Sequence, residues 1–244
     1  LISSNRQVEK TALVTGAARR IGRAIVEDLH KAGFKVAIHC HNSLAEAESL
    51  ASHLNKIRLN SAQVFQQNLL EINFQSFIQK IIFWAGSLDL LVNNASLFLP
   101  DDTEDWNQSF DVNVRAPFLL SQAAFPTLAK TEGVIINITD IHAAKPLKNY
   151  AIYCQTKAAL NMQTKSLAKE LAPKVRVNAI APGAIAWPEG MNALSSDLQK
   201  KIIDKTLLKR HGEPHFIAQA VRMLAENKFI TGQIVNVDGG RSIN

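Results

Sequence analysis

Residues 10–22 read Lys-Thr-Ala-Leu-Val-Thr-Gly-Ala-Ala-Arg-Arg-Ile-Gly, and this stretch decides the architecture. Its first half is apolar and β-branched, the pattern of a short buried strand, and it ends at Gly16. The pattern then changes period, with Ile21, Ala24, Ile25 and Leu29 recurring at helical spacing. A strand, a glycine turn and a helix in succession aim the free N–H groups of the helix start at the turn, a place suited to a pyrophosphate. Gly16 permits the tight turn and Gly22 permits close packing of helix on strand. The spacing is T-G-x-x-x-R-x-G, not G-x-G-x-x-G, and taken alone the segment also fits a structural strand–turn–helix with no ligand.

The same alternation continues along the chain. Strands are expected at about 11–16, 35–40, 62–67, 88–93, 133–139, 175–181 and 233–237, separated by helical segments. Such a pattern implies an α/β fold of Rossmann type: a doubly wound, mostly parallel sheet with helices on both faces. With 244 residues, 47% of them apolar, the chain can bury one sizeable core. No repeat or Pro/Gly-rich linker marks a boundary, so residues 1–244 are expected to form a single domain.

Composition narrows the function classes. No apolar run approaches the ~18 residues of a membrane span. Residues 1–7 lack an apolar core and a cleavage pattern, so no secretory signal is expected. Cys40 and Cys154 have no metal-ligand spacing and are expected to be reduced thiols of a cytoplasmic protein. His39, His142 and His211 form no paired ligand spacing, and no metal is expected. The net charge of +6 is dispersed; its one dense cluster, Lys200, Lys201, Lys205, Lys209 and Arg210, reads as a solvated helix face and not a nucleic-acid patch.

Tyr153 and Lys157, in YAIYCQTKAALNM, stand four residues apart, which puts both side chains on one face of a helix. An ammonium beside a phenol favours the phenolate and lowers a pKa that is otherwise near ~10. The pair suits proton donation to a substrate. Alone, Y-x-x-x-K also occurs on solvated helix faces.

Together these motifs resemble the short-chain dehydrogenase/reductase family over nearly the whole chain. Thr15-Gly16 through Gly22 matches the cofactor turn of that family, and Asn93-Asn94-Ala95 its N-N-A element. Asn113 in FDVNVRAPF matches the structural and catalytic asparagine, and Tyr153 with Lys157 the catalytic pair. Pro182-Gly183, Thr231-Gly232 and Asp238-Gly239-Gly240 match the C-terminal elements. The resemblance implies a cofactor site that includes Gly16, Ile21, Gly22, Asn68, Leu69, Asn94, Ala95, Ser96, Lys157, Pro182 and Gly183. It also implies a homotetramer.

Charge argues for NADPH over NADH. An NAD site of this type carries an acid at the end of the second strand for the ribose 2′-hydroxyl. Here that strand runs into His41, Asn42 and Ser43, all potential donors, and no carboxylate appears until Glu46. Arg20 occupies the family's middle-glycine position, where a guanidinium suits a phosphate. The other reading of Arg20 is a surface arginine paired with Glu27.

Two departures narrow the substrate. Asp140 stands thirteen residues before Tyr153, where the family has a serine that holds a carbonyl. A carboxylate there repels a developing alkoxide, so the substrate is expected to need its proton on nitrogen. Ser96 replaces the usual glycine, and Phe98 offers a ring to stack on a flat ligand, the nicotinamide forming the other wall. For Asp140 the alternative is a structural acid satisfied by backbone donors; for Phe98 it is ordinary packing.

Together, TGAARRIG, HCHNS, NNASLF, ITD and ITGQIVNVDGGRSI are similar to the pteridine reductases of this family. The resemblance implies NADPH-dependent reduction of a C=N bond of a pterin, and in some members of a folate. Asp140 and Tyr153 would relay the proton, with Lys157 biasing Tyr153 and holding the cofactor ribose. Asn113 would support Lys157 through backbone or water contacts, while Ser96 and Phe98 would contact the pterin. Residues 184–212 read as a substrate lid in which Trp187 either touches the ligand or makes a core or subunit contact. Two rivals stand: a carbonyl or 3-oxoacyl thioester reductase, and a non-catalytic NADPH-binding regulator.

Overall fold

The computed structural model describes residues 9–102, 105–187 and 193–244. The N-terminal residues 1–7 and the centre of the expected lid, 188–192, lie outside the described residues.

Seven strands form one sheet in the order β3-β2-β1-β4-β5-β6-β7. They are β1 (Thr11–Val14), β2 (Lys35–Cys40), β3 (Ala62–Gln66), β4 (Leu90–Asn93), β5 (Val134–Ile138), β6 (Arg176–Pro182) and β7 (Ile234–Val237). Every pairing is parallel. Because both faces are covered, the strands are apolar at nearly every position rather than at alternate ones. Val14, Val36, Ile38, Leu90, Val92 and Ile136 face one core, and Leu13, Ala37, Leu91 and Ile135 face the other. Helices α1 (Arg20–Lys31), α2 (Leu44–Ile57) and α8 (Pro214–Glu226) cover the first. Helices α3 (Phe74–Ala85), α5 (Ala116–Leu128) and α6 (Ala151–Leu171) cover the second. The sheet and its doubly wound topology are those expected from the sequence.

Chain order reverses between β1 and β4, so the loops leaving their C-terminal ends diverge and open a crevice, the usual ligand position in such sheets. Helix α4 (Trp106–Phe110) runs into α5 through a π-helical turn, Asp111–Arg115, a distortion that commonly marks a functional position. Helix α7 (Ser196–Asp204) buries none of its residues, so Lys200 and Lys201 lie on a solvated face as expected. Cys40 and Cys154 are both free and buried. Among the described residues no helix is long and apolar enough to cross a membrane, and no cluster of His, Cys, Asp or Glu could hold a metal.

Gly22 shows how tightly the crevice floor is packed. A Cβ there would lie 2.2 Å from the Gly16 carbonyl oxygen and 2.7 Å from the Asn94 amide nitrogen. Gly22→Ala should therefore destabilise the protein by about 1–3 kcal/mol, the range for overpacking, measured by denaturant unfolding.

Candidate active site

The loops after β1 and β4 are clasped by two side chains. The Thr15 hydroxyl oxygen accepts the N–H groups of Asn94 (2.9 Å) and Ala95 (3.0 Å). The Asn94 amide donates to the carbonyls of Thr15 (2.9 Å) and Gly16 (3.0 Å). Asn94 thus braces the glycine turn, with its Nδ2 turned onto that backbone.

Behind the turn, α1 begins with Arg19 as an N-cap that makes no side-chain cap bond, and its first turn holds no acid. The N–H groups of Arg20, Ile21 and Gly22 therefore face an anion-favouring helix start. Arg20 adopts φ 52°, a left-handed conformation that a glycine would take without strain. Its guanidinium donates to the carbonyls of Ala186 (3.1 Å) and Trp187 (3.0 Å), in the loop after β6. Glu27 is paired instead with Arg23 at 2.8 Å. The surface-pair alternative for Arg20 is thereby replaced by a tie between the turn and the loop after β6.

At the end of β2, His41 and Asn42 are exposed, and Ser43 precedes α2 without using its hydroxyl as a cap. Glu46 lies 3.9 Å from the Arg19 guanidinium, a partner that offsets its charge. Asn68 turns its own loop by accepting the Leu70 N–H at 3.1 Å, with Leu69 between them. Gly183 follows Pro182 and packs so closely on Asp238 that a Cβ would stand 2.6 Å from the Asp238 Cβ.

On the other side of the crevice, the Tyr153 hydroxyl donates to Asp140 Oδ2 at 2.9 Å. Asp140 Oδ1 accepts the His142 N–H at 2.8 Å, so this carboxylate both caps a short turn and meets the phenol. Lys157 is buried; its Nζ donates to the Ile138 carbonyl at 3.1 Å and lies 5.6 Å from the Tyr153 ring centre. Burial pulls its pKa down to about 8, and the Asp140 carboxylate opposes that shift.

Asn113 sits in the π-helical turn. Its Oδ1 accepts from Leu97 N–H (2.8 Å) and the Ser96 hydroxyl (3.1 Å). Its Nδ2 donates to Leu97 carbonyl oxygen (3.0 Å) and Thr156 Oγ1 (3.0 Å). These side-chain contacts hold the loop carrying Ser96 and the helix carrying Tyr153; the support expected for Lys157 runs through the Asn113 backbone or water and is a separate contact.

Phe98 is stacked on Tyr150, with ring centres 4.5 Å apart and planes 7° from parallel, and meets Tyr153 edgewise at 4.7 Å. Trp187 stacks on His211 at 4.3 Å, a contact within the segment expected to act as a lid. Sequence reasoning missed two members of this group. Tyr150 backs the expected substrate wall. Asp101 caps α6 from a distant loop, its carboxylate oxygens accepting the N–H groups of Ala151 (2.9 Å) and Ile152 (3.0 Å). An acid three residues after Phe98 was the available signal, but nothing local says which helix it caps.

Comparison with known proteins identifies the family. The family model described as enoyl-(acyl carrier protein) reductase matches residues 16–242. The chain belongs to the short-chain dehydrogenase/reductase family. Within it, the 3-oxoacyl-[acyl-carrier-protein] reductase FabG of Staphylococcus epidermidis is 36% identical over 96% of this chain and 99% of that protein. Pteridine reductase 1 of Leishmania tarentolae is 33% identical over 95% of this chain and 96% of that protein. The crystal structure of FolM alternative dihydrofolate reductase 1 from Brucella suis, a complex with NADP, superposes with a TM-score of 0.90. It is 37% identical, covering 97% of this chain and 96% of that one.

As a short-chain dehydrogenase/reductase the protein should show two signatures. Lys157 is protonated below about 8 and neutral above, so kcat/KM should fall as pH rises through about 8. Its folded pKa lies below its unfolded value, so its burial cost is fully present below about 8 and fades as pH rises toward 10.5. Lys157→Met should accordingly raise the thermal midpoint at neutral pH while abolishing turnover. Asp101→Ala should cost about 0.5–2 kcal/mol of stability, the range for a lost helix cap, and lower kcat, with Asp101→Asn recovering much of both.

Proposed function

We propose that the protein is an NADPH-dependent pteridine reductase that reduces a C=N bond of a pterin or dihydropterin. The observation that carries this is the 2.9 Å hydrogen bond from the Tyr153 hydroxyl to Asp140. The proton donor is thus coupled to a carboxylate in the position of a carbonyl-binding hydroxyl.

The cofactor fit rests on the crevice itself. The helix start at Arg20–Gly22 is free of acids, Gly22 has no room for a Cβ, and β2 leads to donors without a carboxylate. These residues would hold the pyrophosphate at the turn and the 2′-phosphate near His41, Asn42 and Ser43. When bound, NADPH supplies the hydride.

The chain's own residues supply the rest. Tyr153 gives its proton to the ring nitrogen next to the carbon that is reduced, and Asp140 aligns the phenol and accepts N–H donors from the heterocycle. Lys157 places positive charge beside Tyr153 and favours proton release. Phe98, stacked on Tyr150 and in edgewise contact with Tyr153, would supply the aromatic wall for a flat ring. Ser96, held by Asn113, lies on the same loop. Residues 184–212 would close over the site, anchored by Arg20 on Ala186 and Trp187.

The rival reading, a 3-oxoacyl thioester reductase, is favoured by the likeness to FabG. Against it stands Asp140, since a carboxylate repels the alkoxide that ketone reduction generates. A non-catalytic regulator has no use for a phenol bonded to a carboxylate beside a buried lysine. The test is loss of reduced-nicotinamide absorbance with a dihydropterin, dihydrofolate and an acetoacetyl thioester offered in parallel. Turnover of the pterin and not the thioester is expected; turnover of the thioester alone would sink the proposal. Asp140→Ser should slow dihydropterin reduction by about 100-fold, in the range for loss of assisted proton transfer.

A further inference from the structure

His39 is the penultimate residue of β2 and only 1% exposed, yet both of its ring nitrogens are engaged. The Gly16 N–H donates to Nδ1 at 3.1 Å, and Nε2 lies 3.2 Å from the Gln67 carbonyl oxygen. A backbone N–H only donates, so Nδ1 is unprotonated and the ring proton sits on Nε2, where it donates to Gln67. The backbone carbonyl of the same residue accepts the Ala17 N–H at 2.8 Å. One residue of β2 therefore holds two successive amides of the glycine turn. Phe77 of α3 packs edgewise on the imidazole at 5.8 Å.

We infer that His39 is a positioning residue for the dinucleotide, its Nδ1 fixing the Gly16 amide and its Nε2–H fixing the loop that begins at Gln67. This rests on the reading that the turn receives the phosphates of NADPH. Gly16 is at φ 60°, and its amide would lose its acceptor if the imidazole were removed. A proton on Nδ1 would set N–H against N–H and release the turn. Burial keeps the ring neutral, pulling its pKa down to about 4, with His41 acting in the same direction and the Gln67 carbonyl opposing. Among the described residues, His41 is the titratable group whose charge bears on it.

The first test needs no cofactor. Nitrogen NMR of the labelled protein at neutral pH should show His39 with a bare Nδ1 and a protonated Nε2, unchanged until pH approaches 4. A ring protonated on Nδ1, or one titrating near its ordinary value, would overturn the inference. The second is a fluorescence titration with NADPH. His39→Ala should weaken binding by ~10-fold or more, and His39→Asn, whose amide oxygen can stand in for Nδ1, should recover most of it. KM for NADPH should rise by a larger factor than kcat falls. Wild-type affinity in the alanine variant would overturn the role. If that variant fails to fold, the asparagine variant and the NMR of the native protein decide. If the native protein itself does not bind NADPH, the cofactor reading is at fault, and this role falls with it even where the tautomer is as stated.

Discussion

The clasp of Thr15 and Asn94 is the constraint on which the site depends. Parallel strands end side by side, but at the switch point their following loops run in opposite directions, and nothing in the sheet ladder holds those loops together. Here a hydroxyl and a carboxamide supply four hydrogen bonds across the gap. The glycine turn and the loop bearing Ser96 and Phe98 become one rigid floor. Gly22 has to be small because this floor lies directly under α1. His39 supports the same turn from the far side, through β2.

The side of the crevice that carries Tyr153 and Asp140 is assembled by a second set of long-range contacts. Asn113 joins Leu97 to Thr156, and Asp101 joins the end of the same loop to the start of α6. Tyr153 stands on the first turn of that helix, so the cap fixes its height as well as the helix end. A buried string of Asn93, Asn137 and Thr164 ties β4, β5 and α6 together beneath it, with amide contacts of 2.8 Å and 2.9 Å. Buried polar chains of this kind restrict how neighbouring elements can slide, because any slip leaves a donor without a partner.

Much of this was legible in the chain itself. The change from strand to helix period around Gly16 identified the sheet, and the four-residue spacing of Tyr153 and Lys157 needs only helical geometry. Strand ends were read within about two residues, the usual uncertainty of a boundary. What sequence could not supply were partners across long separations. Asp101 and Ala151 are fifty positions apart, and His39 meets Gly16 only because β1 and β2 are adjacent in register. Arg20 shows the same limit: its sequence position offered a phosphate contact or a pair with Glu27, and neither reading could anticipate its hydrogen bonds to the carbonyls of Ala186 and Trp187 in the loop after β6. Tyr150 carried no periodic signal, and its stacking on Phe98 follows from the docking of α6 against that loop.

Asp140 links the two unusual features of the site. A lysine buried as deeply as Lys157 loses hydration that a single carbonyl contact does not replace, and burial alone would drive it toward the neutral form. The Asp140 carboxylate opposes that, and it does the same for Arg241 of the C-terminal turn, whose guanidinium is also disfavoured by burial. One anion thus serves two cations and a phenol. A hydroxyl in its place would receive a carbonyl oxygen well but would strip Lys157 of its counter-charge. The carboxylate at this position therefore favours the charged form of the buried lysine. The phenol, the lysine and the arginine answer to the same side chain.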